Sequence, residues 1–191
     1  MKHPFLVGHR VYLKGLESED LAGQYFQWFN DQEVCAFNSH GYFPNNSVIM
    51  HDFLEKIHSS ETNLVLAIVV KKGDMHIGNI SLQNIDWISR SAEFAIIIGE
   101  KSFWGKGYSK EAADLIIEHG FSNLNLNRIY CGTAMRNVAM QKLAEHMGMK
   151  KEGVRRQGMF KRGEYVDIYE YGLLKDEYLE MKKGARNEKG K

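Results

Sequence analysis

Apolar and polar residues alternate over 9–15 (HRVYLKG), the two-residue period of a half-buried strand. From Ser18 the period changes. Leu21, Tyr25, Trp28 and Phe29 recur at helical spacing, so a helix capped by Ser18 is predicted. The stretch 38–46 (NSHGYFPNN) is dense in turn formers and predicts a loop, and a second helix follows from Ser47 with Ile49, Phe53 and Ile57 on one side. Three strands are predicted over 64–71, 76–85 and 92–99, joined by turns at 72–74 and 86–90. The second half alternates the two periods. A helix over about 107–121 rests on Ala112, Leu115, Ile116 and His119, and a strand over 128–133 leads to a helix on Met140, Leu143 and Met147 that Gly148 stops. Strands over 150–160 and 164–174 complete the pattern. The order, strand-rich and then βαβα, predicts an α/β (α+β) domain with a mixed sheet and helices on both faces. It spans 1–181, and the polar tail 182–191 (KKGARNEKGK) is expected to be disordered.

Composition narrows the classes. A chain of 191 residues with 43% hydrophobic content supports one substantial core. With 25 basic and 24 acidic residues, nothing points to nucleic acid or an anionic membrane as partner. The local run Lys150, Lys151, Arg155, Arg156, Lys161 and Arg162 is either a solvated face or a patch for a phosphorylated ligand. Cys35 and Cys131 have no metal or redox spacing, the first ten residues lack a signal-peptide core, and 65–70 is too short to span a bilayer. A soluble cytoplasmic protein is expected. The eight histidines form no ligand cluster, so no metal is expected, and His119 on its apolar stripe reads as a core residue.

The strongest chemical signal is 92–111, AEFAIIIGEKSFWGKGYSKE: an apolar strand, a glycine turn, then a helix. Glycines let backbone N–H groups approach a ligand, and a helix N-terminus presents free donors with partial positive charge, so a pyrophosphate fits without many basic side chains. Lys110 stands where a dinucleotide fingerprint needs its third glycine, and Lys106 is followed by Gly107 rather than Ser or Thr, which excludes the ATP loop. A second motif runs from Asn137, able to cap a helix, to Gly148-Met149. W-G-K-G-Y-S-K-E-A together with N-x(10)-G-M resembles the GNAT superfamily of N-acetyltransferases, over roughly residues 8–180. The branch holding ribosomal-protein N-terminal and spermidine acetyltransferases is the most similar. The resemblance implies a mostly antiparallel sheet of six to seven strands with a splayed parallel pair at its centre, acetyl-CoA as co-substrate, and dimerisation by analogy alone. It implies that Ile96, Ile97 and Ile98 offer backbone groups to pantetheine. Trp104, Gly105, Lys106, Gly107, Tyr108 and Ser109 would cradle the pyrophosphate, and Asn137 would bond the pantetheine arm. Ser102 replaces the family's usual Gln or Arg three residues before the first glycine.

Acetyl transfer needs a neutral amine, although an alkylamine has pKa near 10.4. Glu93, at the start of an apolar strand, is the candidate base or ammonium ligand; a pairing with Arg90 is the structural alternative. A backbone N–H of that strand would stabilise the oxyanion. Related spermidine enzymes place a tyrosine seven residues after the asparagine to protonate the leaving thiolate, and here that position is Ala144. Tyr130, Tyr169 or water are the substitutes, and a thiol of pKa about 8.5 needs the help of an acid by only roughly 2 kcal/mol. For the acceptor, the segment 37–48 has no acidic residue, which argues against a polyamine. Asn38, Ser39 and His40 with nearby aromatics suit an amino sugar, free or nucleotide-linked, as the small-molecule amine. A polyamine, a protein N-terminus and a non-catalytic acetyl-CoA sensor are the alternatives.

Overall fold

The run β3 (Leu64–Val70, LVLAIVV) shows why the sheet is covered on both sides. Successive strand residues point to opposite faces, so an unbroken apolar run means that both faces are buried. Leu66, Ile68 and Val70 enter one core cluster, while Ala67 and Val69 enter the other. The computed structural model describes residues 1–189. Its other strands are β1 (Leu6–Val7), β2 (Val11–Gly15), β4 (Met75–Asp86), β5 (Ser91–Ile98), β6 (Arg128–Ala134), β7 (Lys150–Lys161) and β8 (Glu164–Leu174). They form one eight-stranded sheet in the order β1-β2-β3-β4-β5-β6-β8-β7. All neighbours are antiparallel except β5 and β6, which are parallel and paired only at Ser91↔Arg128, Ala92↔Ile129 and Glu93↔Tyr130. Past that third pair the two strands part.

All seven strands read from the alternation are present. The two-residue β1 is the eighth, too short for a period to be read. The first expected helix is instead broken into a 3-10 turn (Ser18–Ala22) and the four-residue α1 (Tyr25–Trp28). Gly23 between them is extended, at φ −94° and ψ −153°, although Leu21, Tyr25, Trp28 and Phe29 are buried as the stripe required. With α2 (Ser47–His58), which inserts Met50 and Leu54, they cover one face of the sheet. The other face carries α3 (Tyr108–Ser122), through Ala112, Ile116 and Phe121, and α4 (Val138–His146), through Leu143 and Ala144. A last helix, α5 (Lys175–Lys189), has no counterpart in the sequence reading. Its Tyr178 stacks on Phe121 at 4.9 Å. The tail expected to be disordered overlaps the end of this helix, and residues 190–191 lie outside the described residues.

Two contacts fix the elements that frame the cleft described below. Gly99, just past β5, lies against the Trp28 ring, where an added Cβ would sit 1.8 Å from a ring carbon. Trp28 Nε1 also donates to Glu100 Oε1 at 3.2 Å, so α1 is seated on the end of β5. On the opposite face Glu111, in the first turn of α3, accepts from the N–H groups of Arg10 (2.6 Å) and Val11 (3.1 Å) and from Arg10 Nε (3.0 Å). Arg10 Nη1 in turn donates to the Lys106 carbonyl at 3.0 Å, and its guanidinium lies 4.5 Å over the Tyr108 ring. Burial works against the charged form of Glu111, but these hydrogen bonds outweigh it and hold the carboxyl below its ordinary value.

Gly99→Ala is expected to cost about 1–3 kcal/mol by overpacking, read as a melting-temperature fall of roughly 2–10 °C. An unchanged melting point would mean that Trp28 moves aside freely. Because the folded state depresses the Glu111 pKa, its stabilisation is complete above the unfolded value near 4.5 and is lost as pH falls through the folded value. The stability gap between the native chain and Glu111→Gln is therefore expected to be widest near neutrality and to close in acid. Denaturant titrations at pH 7 and pH 4 measure it, and a gap independent of pH would contradict the assignment.

Candidate functional site

The glycine turn follows from local geometry. After β5 a 3-10 turn (Lys101–Phe103) leads to Trp104, whose Nε1 donates back to the Ile98 carbonyl at 2.7 Å. Gly105 (φ 70°) and Gly107 (φ 81°) are left-handed, a region that other residues enter only at a cost. Gly107 is the N-cap of α3, and no side chain caps that helix. The first backbone donors of a fifteen-residue helix are thus left to water or a ligand.

Beside this turn opens a cleft of about 620 Å³, where β5 and β6 have parted. One wall is β5 and the turn, with Glu93, Ile96, Ile97, Ile98, Trp104, Gly105 and Ser109. The other is β6 and α4, with Thr133, Asn137, Met140 and Leu143. The segment after α1 closes one side through Glu33, Phe37 and Asn38. Of the residues singled out in the sequence, Lys106, Gly107, Tyr108, Ser39, His40, Tyr130, Tyr169 and Ala144 are not in the wall. Tyr108 is held between Arg10 and Phe103, with ring centroids 5.4 Å apart in the latter pair. The His40 ring packs on Phe29 at 4.6 Å, and Ser39 is exposed. A smaller cavity of about 230 Å³ lies under α2, lined by Phe53, Lys56, Ile57 and Gln83 among others.

Glu93 sits at the vertex of the split, on the last parallel pair. Its Oε2 accepts from Asn84 Nδ2 at 3.0 Å, so its partner is Asn84 and not Arg90. Tyr130 is its register partner on β6; burial first, and then the Glu93 charge, push the Tyr130 hydroxyl above its ordinary pKa. Tyr169 lies elsewhere, on β8 with the Lys151 ammonium 3.1 Å over its ring. Ala144 is fully buried in the core. Asn137 does cap α4, accepting from the Met140 N–H at 3.1 Å, and also borders the cleft.

Glu33, which sequence reasoning missed, and Arg162, read there as part of the basic run, are both wall residues. Glu33 pairs with Lys101 at 2.7 Å. Arg162 Nη2 donates to the Gln32 carbonyl at 3.1 Å, while Lys161 Nζ donates to the carbonyls of Asn38 (3.0 Å) and His40 (2.7 Å). The tip of the β7–β8 hairpin thereby clips the segment after α1, some 120–130 residues earlier in the chain. The basic run accordingly divides. Lys161 and Arg162 serve this clip, whereas Lys150 pairs with Glu177, and Arg155 with Glu170, on the outer surface.

A long slot between parted strands, ending at uncapped helix donors, fits an extended ligand with a phosphate end. Comparison with known proteins agrees. The model of the acetyltransferase (GNAT) domain family matches residues 10–150. An uncharacterized N-acetyltransferase, p20 from Bacillus licheniformis, is 32% identical over 91% of this chain and 97% of its own length. A spermidine N(1)-acetyltransferase from Escherichia coli is 30% identical over 90% of this chain and 89% of its own. The crystal structure of spermidine N-acetyltransferase from Vibrio cholerae in complex with CoA and spermine superposes with a TM-score of 0.81 at 26% identity, covering 89% of this chain and 98% of that one. Among the described residues no helix is long and apolar enough to cross a membrane. The chain belongs to the GNAT acetyltransferase family and is an acetyl-CoA-dependent N-acetyltransferase.

Proposed function

We propose that the enzyme acetylates a primary amine of a small cationic acceptor, with a polyamine fitting the cleft better than the amino sugar that residues 37–48 suggest. The observation that carries this reading is the presence of two carboxylates, Glu33 and Glu93, in the wall of one cleft. Separated carboxylates suit an acceptor whose positive charge is spread along a chain. The acid-free segment misleads because Glu33 precedes it and Glu93 comes from β5. The ion pair of Glu33 with Lys101 is exposed, and such pairs are worth about 0–1 kcal/mol, so the carboxylate can exchange partners. The spermidine acetyltransferases among the relatives support the same choice. One observation favours the nucleotide-linked sugar: Arg162 also lines the wall and suits a phosphate.

Acetyl-CoA supplies an acetyl group activated as a thioester. The turn 104–109 holds the pyrophosphate on main-chain N–H groups; Lys106, Gly107 and Tyr108 form its outer part, and Arg10 with Glu111 keeps it in place. Ile96, Ile97 and Ile98 offer main-chain groups to the pantetheine arm, with Asn137 across from them. Asn38 borders the acceptor, and Ser39 and His40 stand behind it. Glu93 accepts the amine proton, and the Tyr130 hydroxyl, kept protonated by its raised pKa, returns one to the departing thiolate.

A thiol-release assay over polyamines, amino sugars, nucleotide-linked amino sugars and peptide N-termini is expected to give the highest kcat/KM with a polyamine. A sugar at the head of that ranking would replace the reading. Glu93→Gln is expected to lower kcat/KM for the amine by about 10²–10⁴ at pH 7. An unchanged value removes Glu93 from the reaction. Tyr130→Phe is expected to lower kcat by no more than about 30-fold at pH 7, since a thiol of pKa near 8.5 leaves only roughly 1.5 units for an acid to supply.

A further inference from the structure

Glu93 is held by a residue that regular strand geometry would send to the other face of the sheet. Gln83 stands opposite Glu93 in the β4–β5 ladder, and the next registered pair is Asp86 with Ser91. Two residues of β4, Asn84 and Ile85, thus face one of β5, Ala92, which is a β-bulge. In an unbroken strand Asn84 would follow Gln83 onto the opposite face, where Leu82 and Phe94 enter the core. The bulge gives that place to Ile85, buried in the same cluster as Ala92, and Asn84 stays on the side of Glu93.

Backbone and loop together fix this arrangement. Asn84 has φ 50°, in the left-handed region that asparagine enters more readily than most residues. Its N–H donates to Asn63 Oδ1 at 3.2 Å, and the Ile85 N–H donates to the Thr62 carbonyl at 2.9 Å. Asn63 is anchored in turn by its Nδ2, which donates to Ser60 Oγ at 3.0 Å and Thr62 Oγ1 at 3.2 Å. From this seat Asn84 Nδ2 reaches Glu93 Oε2 at 3.0 Å. Gln83, although opposite Glu93, is engaged elsewhere, its Nε2 donating to Ser81 Oγ at 2.7 Å. A glutamate side chain has several torsions to fix, and a bond to one oxygen removes much of that freedom before the acceptor arrives.

We infer that Asn84 is a positioning residue for the acceptor: its amide holds Glu93 by Oε2 at the vertex of the split and leaves Oε1 to meet the amine. This rests on the reading of Glu93 as the group that takes the amine proton. Backbone fit alone does not account for the asparagine, because glycine enters the left-handed region at least as easily. Asn84→Gly therefore keeps the bulge and removes only the amide.

The test compares the native chain, Asn84→Gly, Glu93→Gln and the double variant in the thiol-release assay, with the acceptor that heads the panel, spermidine on the present reading. Calorimetry with CoA on each protein completes it. Asn84→Gly is expected to lower kcat/KM for the amine about 3- to 10-fold and to bind CoA with native affinity. In the Glu93→Gln background the same substitution is expected to change kcat/KM by less than about twofold, since the group it positions is gone. Native kcat/KM in Asn84→Gly overturns the inference and leaves the asparagine a backbone role. So does an equal fall in CoA affinity, or a loss of the same size in the Glu93→Gln background, either of which places the effect outside the carboxylate. If Glu93→Gln alone keeps the native rate, the reading of Glu93 fails first and the inference with it.

Discussion

A parallel ladder that ends at Glu93↔Tyr130 sets the conditions for the rest of the site. Each strand of that pair has a better partner on its outer side. β5 is matched to β4 over seven register pairs, and β6 to β8 over seven. Two antiparallel half-sheets therefore hold their shape while the seam between them opens, and the helices of both faces bury what the seam does not expose. Main-chain polar groups at such a seam call for partners, and on the proposed reading the amides of the pantetheine arm supply them.

On the proposed reading, the glycine turn lets a chain of formal charge +1 grip an anion. The donors come from the main chain, through two left-handed glycines and a helix with no capping side chain. Such a turn needs support from outside. Arg10 gives it by binding the Lys106 carbonyl and the Tyr108 ring while its own N–H and guanidinium are held by Glu111. The glutamate that ends the sequence motif is thus a brace between α3 and β2.

Features that repeat locally were legible in the sequence: seven strands, the helices α2, α3 and α4, the glycine turn and Asn137 at a helix start. Family likeness added the parting of β5 and β6, which no periodicity encodes. What depended on distant chain segments was not legible. The meeting of Lys161 and Arg162 with residues 32–40 joins a hairpin tip to a loop, and neither stretch carries a pattern that names the other. Glu33 was passed over for that reason, and the acceptor was judged on an acid-free segment that forms only part of the wall. The first helix was overestimated because a correct apolar stripe does not report the extended backbone at Gly23. Residues 175–189 were missed as a helix because that stretch is rich in charge and poor in apolar residues.

A crystal structure of the chain with CoA tests the central claim most directly. The account requires the pantetheine arm between β5 and β6 beyond Glu93↔Tyr130, with pyrophosphate oxygens about 3 Å from main-chain nitrogens of the turn 104–109. A coenzyme bound outside that seam, or phosphates held only by side chains of the basic hairpin, would contradict it.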